Sequence, residues 1–239
     1  VPSLAGASVP LVQSSHASPS ASRQTFGFNE KPTHALRRRG VRYVELRSLD
    51  INMFDPLGIS ETQCRFLETF MAFCLFMDSP AISDSERREI DSNLDAVCYR
   101  GRKPGLELQR DGLPVTLSCW AGELLDAMQG FAGVLDDGLP GNDHATALQE
   151  QRAAVRDPGL THSARVIAGM RSQNEGHFRF AQRMSRQHQE YFMNLPPDPE
   201  GFAIIDAAVD KSIADQHAME ASDNRTFDEF LADYLAQSL

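Results

Sequence analysis

The sequence contains few cysteines and no paired cysteine motif. Its four cysteines stand at positions 64, 74, 98 and 119, none of them forms a CxxC pair, and their gaps match no zinc-binding template. A disulfide scaffold requires more cysteines in a shorter chain. The sequence therefore predicts four reduced thiols, mostly buried, and argues against a zinc ribbon or a disulfide framework.

Long apolar runs are also missing, so no segment is expected to span a membrane. The most apolar stretch, FLETFMAFCLFM at residues 66–77, is shorter than the roughly 20 residues that a bilayer requires, and it contains Glu68. We therefore expect a buried helix there, central to a core. An apolar stretch near the N-terminus is interrupted by Pro2 and Pro10 and has no basic segment before it, unlike a secretory signal. We expect a cytoplasmic chain without membrane contact.

Basic residues and common catalytic motifs are scarce as well. The chain has 33 acidic against 23 basic residues, a formal net charge of −10, which argues against general binding of nucleic acid. No Walker loop, GxGxxG, GxSxG or HExxH motif occurs. The seven histidines are scattered without an i, i+4 pair, so structural roles are expected for them.

The chain divides by composition near residue 30. Residues 1–30 are rich in Ser, Ala and Pro and are expected to be disordered or foreign to the fold. Residues 31–239 are expected to form the ordered part. We predict helices over 33–40, 61–78, 83–101, 118–136, 143–156, from 161, and over 175–194, 203–221 and 226–237. Ser60 with Gln63 and Ser83 with Glu86 are capping-box pairs that predict two of these helix starts.

One segment has the alternation of a β-strand and also carries charge. In GVRYVELRSLDIN, residues 40–52, Val44, Leu46 and Ser48 alternate with a second set of side chains that includes Tyr43, Glu45 and Arg47. Alternate residues of a strand point to opposite faces. The first set suits a core, and the second set places a carboxylate and a guanidinium side by side.

Two interpretations of Glu45 and Arg47 stay open on spacing alone. The first is a cross-strand salt bridge on a solvated sheet face. The second is the wall of an active-site cavity, because a carboxylate is a hard oxygen ligand suited to Mg²⁺ and a guanidinium binds phosphate bidentately. Arg102 and Lys103 of GRKPG present a similar choice between a structural turn and a phosphate contact.

Five blocks in order resemble one enzyme family. GVRYVELRSLDIN, MFDPLGIS, RFLETFMAFCL, GRKPGL and DPGLTHSARV together look like the C-terminal half of proteobacterial-type glutamate–cysteine ligase, over residues 33–170. The resemblance implies an α+β fold: a mainly helical fragment of a glutamine-synthetase-like fold, with one or a few antiparallel strands lining a cavity. Residues 31–239 would be the C-terminal part of the catalytic domain.

The resemblance also implies a reaction and site residues. These enzymes join the γ-carboxyl of L-glutamate to the amine of L-cysteine through an acyl phosphate, with ATP as co-substrate and Mg²⁺ as cofactor, in the first step of glutathione synthesis. By position, Glu45 would be a metal ligand, and Arg47 would be catalytic and contact the ATP phosphoryl group.

One departure limits this expectation. The other metal-binding carboxylates of the family belong to an N-terminal half that is absent here, so we expect this chain alone to be an incomplete and inactive fragment. The alternative is a non-catalytic helical scaffold or regulatory protein derived from the ligase.

Overall fold

The structure is a computed structural model that describes residues 20–25, 27, 29–47 and 49–238. Most of the segment predicted to be disordered or foreign to the fold lies outside the described residues, and so does Ser48 of the strand. The chain divides into two compact units. Asp50–Met193 form the larger unit, and the described residues of Pro10–Leu49 and Asn194–Leu239 belong to the smaller one.

The larger unit contains seven of the helices in the described part of the chain and a β-hairpin. Its elements in order are α2 (Glu61–Phe76), α3 (Asp84–Arg100), β3 (Glu107–Arg110), β4 (Leu113–Thr116), α4 (Leu117–Ala127), α5 (Gln129–Asp137), α6 (Asp143–Arg156), a 3₁₀ turn (Pro158–Leu160), α7 (His162–Ser172) and α8 (His177–Met193).

The core of this unit lies where α2, α4, α5 and α6 meet. Phe73 of α2 packs in a buried cluster with Leu125, Met128, Ala132 and Leu148. The ring of Phe73 also meets Phe131 edge-on, with centroids 5.8 Å apart. Apolar side chains from four helices therefore share one cluster, and the hydrophobic effect stabilises their packing.

A second cluster joins the hairpin to α3. Leu106 and Leu108 are buried beside Ala96 of α3. The hairpin turn contains Asp111 (φ 55°) and Gly112 (φ 76°), two successive residues with positive φ, as the tight turn of a twisted hairpin requires. The side chain of Asn93 contacts Gln109 through two hydrogen bonds of 2.6 and 2.8 Å, which fix the edge of β3 against α3.

The smaller unit contains one strand pair and three helices among its described residues. Its elements are β1 (Ser20–Arg23), α1 (Pro32–Arg39), β2 (Tyr43–Leu46), α9 (Pro199–Ser222) and α10 (Phe227–Ala236). Lys31, at the start of α1, donates to the end of α10: its Nζ lies 3.1 Å from the Leu235 carbonyl, and its backbone N–H lies 3.2 Å from Gln237 Oε1. These bonds connect residues that are about two hundred positions apart in the chain.

The predicted fold class, α+β and mainly helical with a few antiparallel strands, is confirmed. The helix starts at Ser60 and Ser83 are correct, since both capping boxes are present. Within the segment expected to be foreign to the fold, Ser20–Arg23 form β1 and pair with β2. The proposed boundary at residue 30 stays a prediction.

Two expectations about burial were wrong. The four thiols are free, as expected, but all are exposed. Cys74 directly follows the buried Phe73, so the helical rotation turns it away from the core. The end of α2 is not central to a core either, because Leu75 and Phe76 are 72% and 73% exposed.

The predicted helix over 118–136 is two helices. Met128 lies between α4 and α5, and it is one of the buried residues of the four-helix core. The sequence favoured a short extended piece just before Ser118, where β4 lies, but its pairing with β3 was missed, although Asp111-Gly112 is a strong turn signal. Across the described residues, no helix is long and apolar enough to cross a membrane.

Candidate functional site

Of the residues predicted for the site, Glu45 lies on a two-stranded antiparallel ribbon of β1 and β2, and Arg47 lies next to it. In its register, Ala21 of β1 lies opposite Glu45, and Arg23 lies opposite Tyr43. The regular strand is shorter than predicted, and Arg47 lies one residue beyond its end. On the face expected to suit a core, Val44 is 43% exposed and Leu46 is half-buried, so that face is only partly covered within the described structure.

Glu45 is held between two guanidinium groups. Its Oε2 accepts a hydrogen bond of 2.9 Å from Arg23 Nε and another of 2.9 Å from Arg47 Nη2. All three side chains are between 34% and 45% exposed. The structure therefore brings Glu45 and Arg47 together, and it adds Arg23, which the strand sequence could not reveal because Arg23 lies 22 residues earlier.

Positive charge accumulates around this ribbon. Seven Lys or Arg residues and two Glu residues occur between residues 20 and 47, in a chain with a net charge of −10. One of the arginines, Arg39, is neutralised by Glu30: its Nη1 and Nη2 donate to Glu30 Oε1 and Oε2 at 3.1 and 2.8 Å. Arg37 and Arg38 are exposed. An excess of cations beside a guanidinium pair suits a polyanionic ligand such as a polyphosphate.

A magnesium ion does not fit the described residues by themselves. Mg²⁺ prefers an octahedral set of oxygen ligands, and Glu45 is one carboxylate whose described partners are cations. No group of three or more His, Cys, Asp or Glu side chains that could hold a metal ion occurs in the described part of the chain. A complete magnesium site would need carboxylates from outside the described residues.

The larger unit holds a buried charge network that the sequence analysis missed. The side chain of His144 is fully buried, with Nδ1 2.7 Å from Asp136 Oδ1 and Nε2 2.9 Å from Glu68 Oε2. Asp136 also accepts the backbone N–H groups of His144 and Ala145, both at 2.9 Å. It thereby caps the start of α6, where the Asn142 side chain forms no capping bond.

The network shifts three pKa values. Burial disfavours the charged imidazole, but hydrogen bonds to Glu68 and Asp136 outweigh it and raise the pKa of His144. The hydrogen bond from His144 lowers the pKa of Glu68. Burial opposes ionisation of Asp136, yet the two backbone N–H donors and the imidazole together lower its pKa. The network therefore favours an imidazolium between two carboxylates.

The ribbon lies within a stretch of the chain that matches a known protein family. Residues 13–97 match the family model described as glutamate-cysteine ligase. Over 210 residues, the chain is 45% identical to the glutamate–cysteine ligase of Pseudomonas aeruginosa strain LESB58, and over 207 residues it is 42% identical to that of Azotobacter vinelandii strain DJ.

The chain resembles the glutamate–cysteine ligases. These alignments cover 88% and 87% of this chain, but only 40% and 39% of the two relatives, so the chain spans about 40% of their length. The crystal structure of glutamate–cysteine ligase from Francisella tularensis in complex with AMP is similar in fold, with a TM-score of 0.81 and 29% identity. That similarity covers 91% of this chain and 43% of the ligase chain. The predicted resemblance is therefore confirmed.

Proposed function

We propose that this chain is part of a glutamate–cysteine ligase, which joins the γ-carboxyl of L-glutamate to the amine of L-cysteine at the expense of ATP. The observation that carries the proposal is the 45% identity to a glutamate–cysteine ligase over 210 residues, together with the family match over residues 13–97. Those residues include β2, which bears Glu45, and Arg47 just beyond it. The reaction is the first step of glutathione synthesis.

Arg47 has the chemistry that the phosphoryl transfer requires. The terminal phosphoryl group of ATP passes to the γ-carboxylate and gives ADP and an acyl phosphate. The cysteine amine then attacks the acyl carbon, the C–N bond forms, the C–O bond to phosphate breaks, and the amine loses a proton. In this proposal, the guanidinium of Arg47 binds the phosphoryl oxygens and offsets the charge that develops on them.

Glu45 positions Arg47 and offers an oxygen ligand. Its Oε2 receives both guanidinium bonds, and within the described residues no hydrogen bond reaches its Oε1. When bound, Mg²⁺ would neutralise phosphate charge, with Glu45 supplying one of its oxygen ligands. The remaining carboxylates would come from other parts of the ligase, since the chain spans about 40% of the length of its relatives. We therefore propose that the chain alone is inactive.

A second candidate is a non-catalytic helical scaffold or regulatory protein derived from the ligase. The contacts of Glu45 favour it, since a carboxylate bonded by Arg23 and Arg47 is also what a plain surface salt bridge looks like. Under this alternative, the ribbon would stabilise the fold slightly and would bind neither ATP nor a metal.

A chimeric enzyme separates the two candidates. The matching 210-residue stretch of the Pseudomonas aeruginosa ligase is replaced by that of the present chain, and γ-glutamylcysteine is measured with ATP, glutamate, cysteine and Mg²⁺. The ligase proposal predicts clear turnover. A chimera that folds, by circular dichroism and thermal melting, but forms no product would favour the scaffold.

A further inference from the structure

Arg47 lies outside the paired part of the β1–β2 ribbon. Strand β2 ends at Leu46, whose register partner is Ser20, and among the described residues no strand pairing reaches Arg47. An arginine side chain has several rotatable bonds, so an exposed one is poorly fixed unless other groups hold it. In the proposed reaction, the guanidinium must be in position before the phosphoryl group is transferred. Other groups of the ribbon must therefore hold Arg47.

The group that holds Arg47 is the carboxylate of Glu45. Arg47 Nη2 donates to Glu45 Oε2 at 2.9 Å, and among the described residues the Arg47 side chain makes no other hydrogen bond. Both side chains are more than 40% exposed, and a single ion pair in such a setting is weak. Glu45 can therefore orient Arg47 only if the carboxylate is fixed by a further contact.

Arg23 supplies this further contact from the neighbouring strand. In the register, Arg23 lies opposite Tyr43 and Glu45 lies opposite Ala21, so the two charged residues are diagonal neighbours on one face of the ribbon. Arg23 Nε donates to the same Oε2 of Glu45 at 2.9 Å. The carboxylate is thus bonded from both strands, whereas a bond from Arg47 alone would let the two side chains move together.

Arg23 itself belongs to a well-bonded part of the ribbon. The backbone N–H of Arg42 donates to the Arg23 carbonyl at 2.8 Å. The next residue, Gln24, is buried, and its Nε2 donates to the carbonyls of Arg39 and Gly40 at 3.3 and 2.9 Å. These bonds connect the end of β1 to the end of α1 and to the segment before β2. The side chain that bonds the carboxylate therefore starts from an anchored backbone.

We propose that Arg23 is a positioning residue for the ligase reaction. It holds the carboxylate of Glu45, and through Glu45 it holds the guanidinium of Arg47 in the orientation that meets the phosphoryl group. Arg23 acts through Glu45 and needs no contact with a substrate. The catalytic part of this role rests on the proposed ligase function, whereas the ordering of Arg47 by Arg23 is a property of the chain alone.

NMR relaxation of the arginine Nε–Hε groups in the full chain tests the ordering directly, since it reports side-chain motion on the picosecond to nanosecond timescale. In the wild type, the Nε–Hε group of Arg47 should be more rigid than that of Arg37, an exposed arginine of α1. In the Arg23→Ala variant, Arg47 should become as mobile as Arg37. A mobile Arg47 in the wild type, or an equally rigid one in R23A, would overturn the proposal.

The kinetics of R23A in the chimeric ligase test the consequence for the reaction. We expect kcat to fall about tenfold with KM for ATP changed less than about twofold, because misplacement of Arg47 weakens the transition state more than the ground state. The melting temperature should hardly change, since the pair is exposed. R23K keeps a charged donor and should recover most of the rate. A wild-type kcat in R23A, or equal rates in R23K and R23A, would contradict the role of this bond.

A double-mutant cycle shows whether Arg23 acts through Glu45. In an E45A background, the side chain of Arg23 has lost the carboxylate that it bonds. Adding R23A to E45A should therefore lower kcat by less than about twofold, although R23A alone lowers it about tenfold. An equal loss in both backgrounds would mean that Arg23 acts on the reaction directly, and the positioning role would be wrong.

R42A is the matched control, because it removes one positive charge from the same ribbon. Among the described residues, the Arg42 side chain bonds Thr25 Oγ1 at 3.5 Å and does not bond Glu45. R42A should change neither kcat nor the mobility of Arg47, and a loss of rate as large as that of R23A would overturn the proposal. An inactive chimera would count against the ligase function itself, while the NMR comparison in the full chain still decides whether Arg23 orders Arg47.

Discussion

His144 links three helices through one side chain. Its ring contacts Glu68 of α2 and Asp136 at the end of α5, and its own backbone belongs to the first turn of α6. The ring and Asp136 are buried, whereas Glu68 is half exposed, so solvent screens the Glu68 contact more strongly than the Asp136 contact. The network therefore joins the helices whose apolar faces form the core.

Replacing His144 should destabilise the larger unit. His144→Ala leaves the buried Asp136 carboxylate without its imidazole and opens a void, with an expected loss of about 2–4 kcal/mol in the free energy of unfolding. Urea denaturation checks the value. The matched control is His217→Ala on the exposed face of α9, which should change the free energy by less than about 0.5 kcal/mol.

The same network predicts a dependence of stability on pH. The pKa of His144 is raised, so its contribution is complete below the ordinary histidine pKa of 6.5 and is lost as the pH rises through the folded value. The pKa values of Glu68 and Asp136 are lowered, so their contribution is present above the ordinary carboxyl range and is lost in acid. The combined contribution is greatest in weakly acidic solution.

Denaturation of the wild type and of His144→Ala at two pH values tests this prediction. The difference in unfolding free energy between the two proteins should be larger at about pH 5.5 than at about pH 9, because only the protonated ring can donate to both carboxylates. An equal difference at both values would show that His144 contributes through packing rather than through its charge.

Several side chains that stand apart in the sequence contact each other in the structure. The charged face of β2 was predictable because Glu45 and Arg47 lie two residues apart in a segment with the alternation of a strand. Arg23 was not, because its contact with Glu45 depends on the register of β1, in a segment whose composition indicated disorder. Likewise, His144 has no motif around it, and its partners lie 8 and 76 positions away.

Within the secondary-structure elements, substitution by alanine is expected to change stability in opposite directions at two glycines. Gly112 has a φ of 76° in the hairpin turn, where an alanine is strained, so Gly112→Ala should lower the free energy of unfolding by about 1–2 kcal/mol. Gly133 lies inside α5 with open space where a Cβ would lie, so Gly133→Ala should raise it by about 0.5–1 kcal/mol. Thermal melting of both variants checks the signs, and two shifts of the same sign would contradict this account of the turn.

Local signals explain which elements the sequence predicted. The starts of α2 and α3 were predictable because each capping box lies within four residues. The break at Met128 was not, since no Pro marks it and Met128 is held by packing against other helices. The Asp111-Gly112 turn did have a local signal, and the short strands on either side of it were what concealed the hairpin.

At the scale of the whole molecule, the chain leaves large apolar side chains uncovered. Leu75 and Phe76 at the end of α2 are 72% and 73% exposed, and Phe202 and Ile204 of α9 are 60% and 66% exposed. Clusters of exposed apolar residues commonly mark surfaces that contact other protein. This agrees with a chain that spans about 40% of the length of its ligase relatives.

The isolated chain should therefore form no γ-glutamylcysteine. Incubation with ATP, glutamate, cysteine and Mg²⁺ should give no product above that of a reaction without protein, because one carboxylate does not complete a magnesium site, and the described residues offer no cluster of three metal-binding side chains. Mass spectrometry measures the product, and the Pseudomonas aeruginosa ligase under the same conditions is the positive control. Clear turnover by the isolated chain would contradict the proposal that it is inactive alone.

The rate constants of E45Q and R47K variants in the chimeric ligase test whether Glu45 and Arg47 take part in phosphoryl transfer. Each substitution is expected to lower kcat by about a hundredfold or more with little change in melting temperature, since each removes a charge or a bidentate contact at the phosphoryl group. R87K, an equally conservative change at an exposed arginine of α3, should leave kcat unchanged. Wild-type rates in both E45Q and R47K would contradict the account and leave the ribbon as a salt bridge.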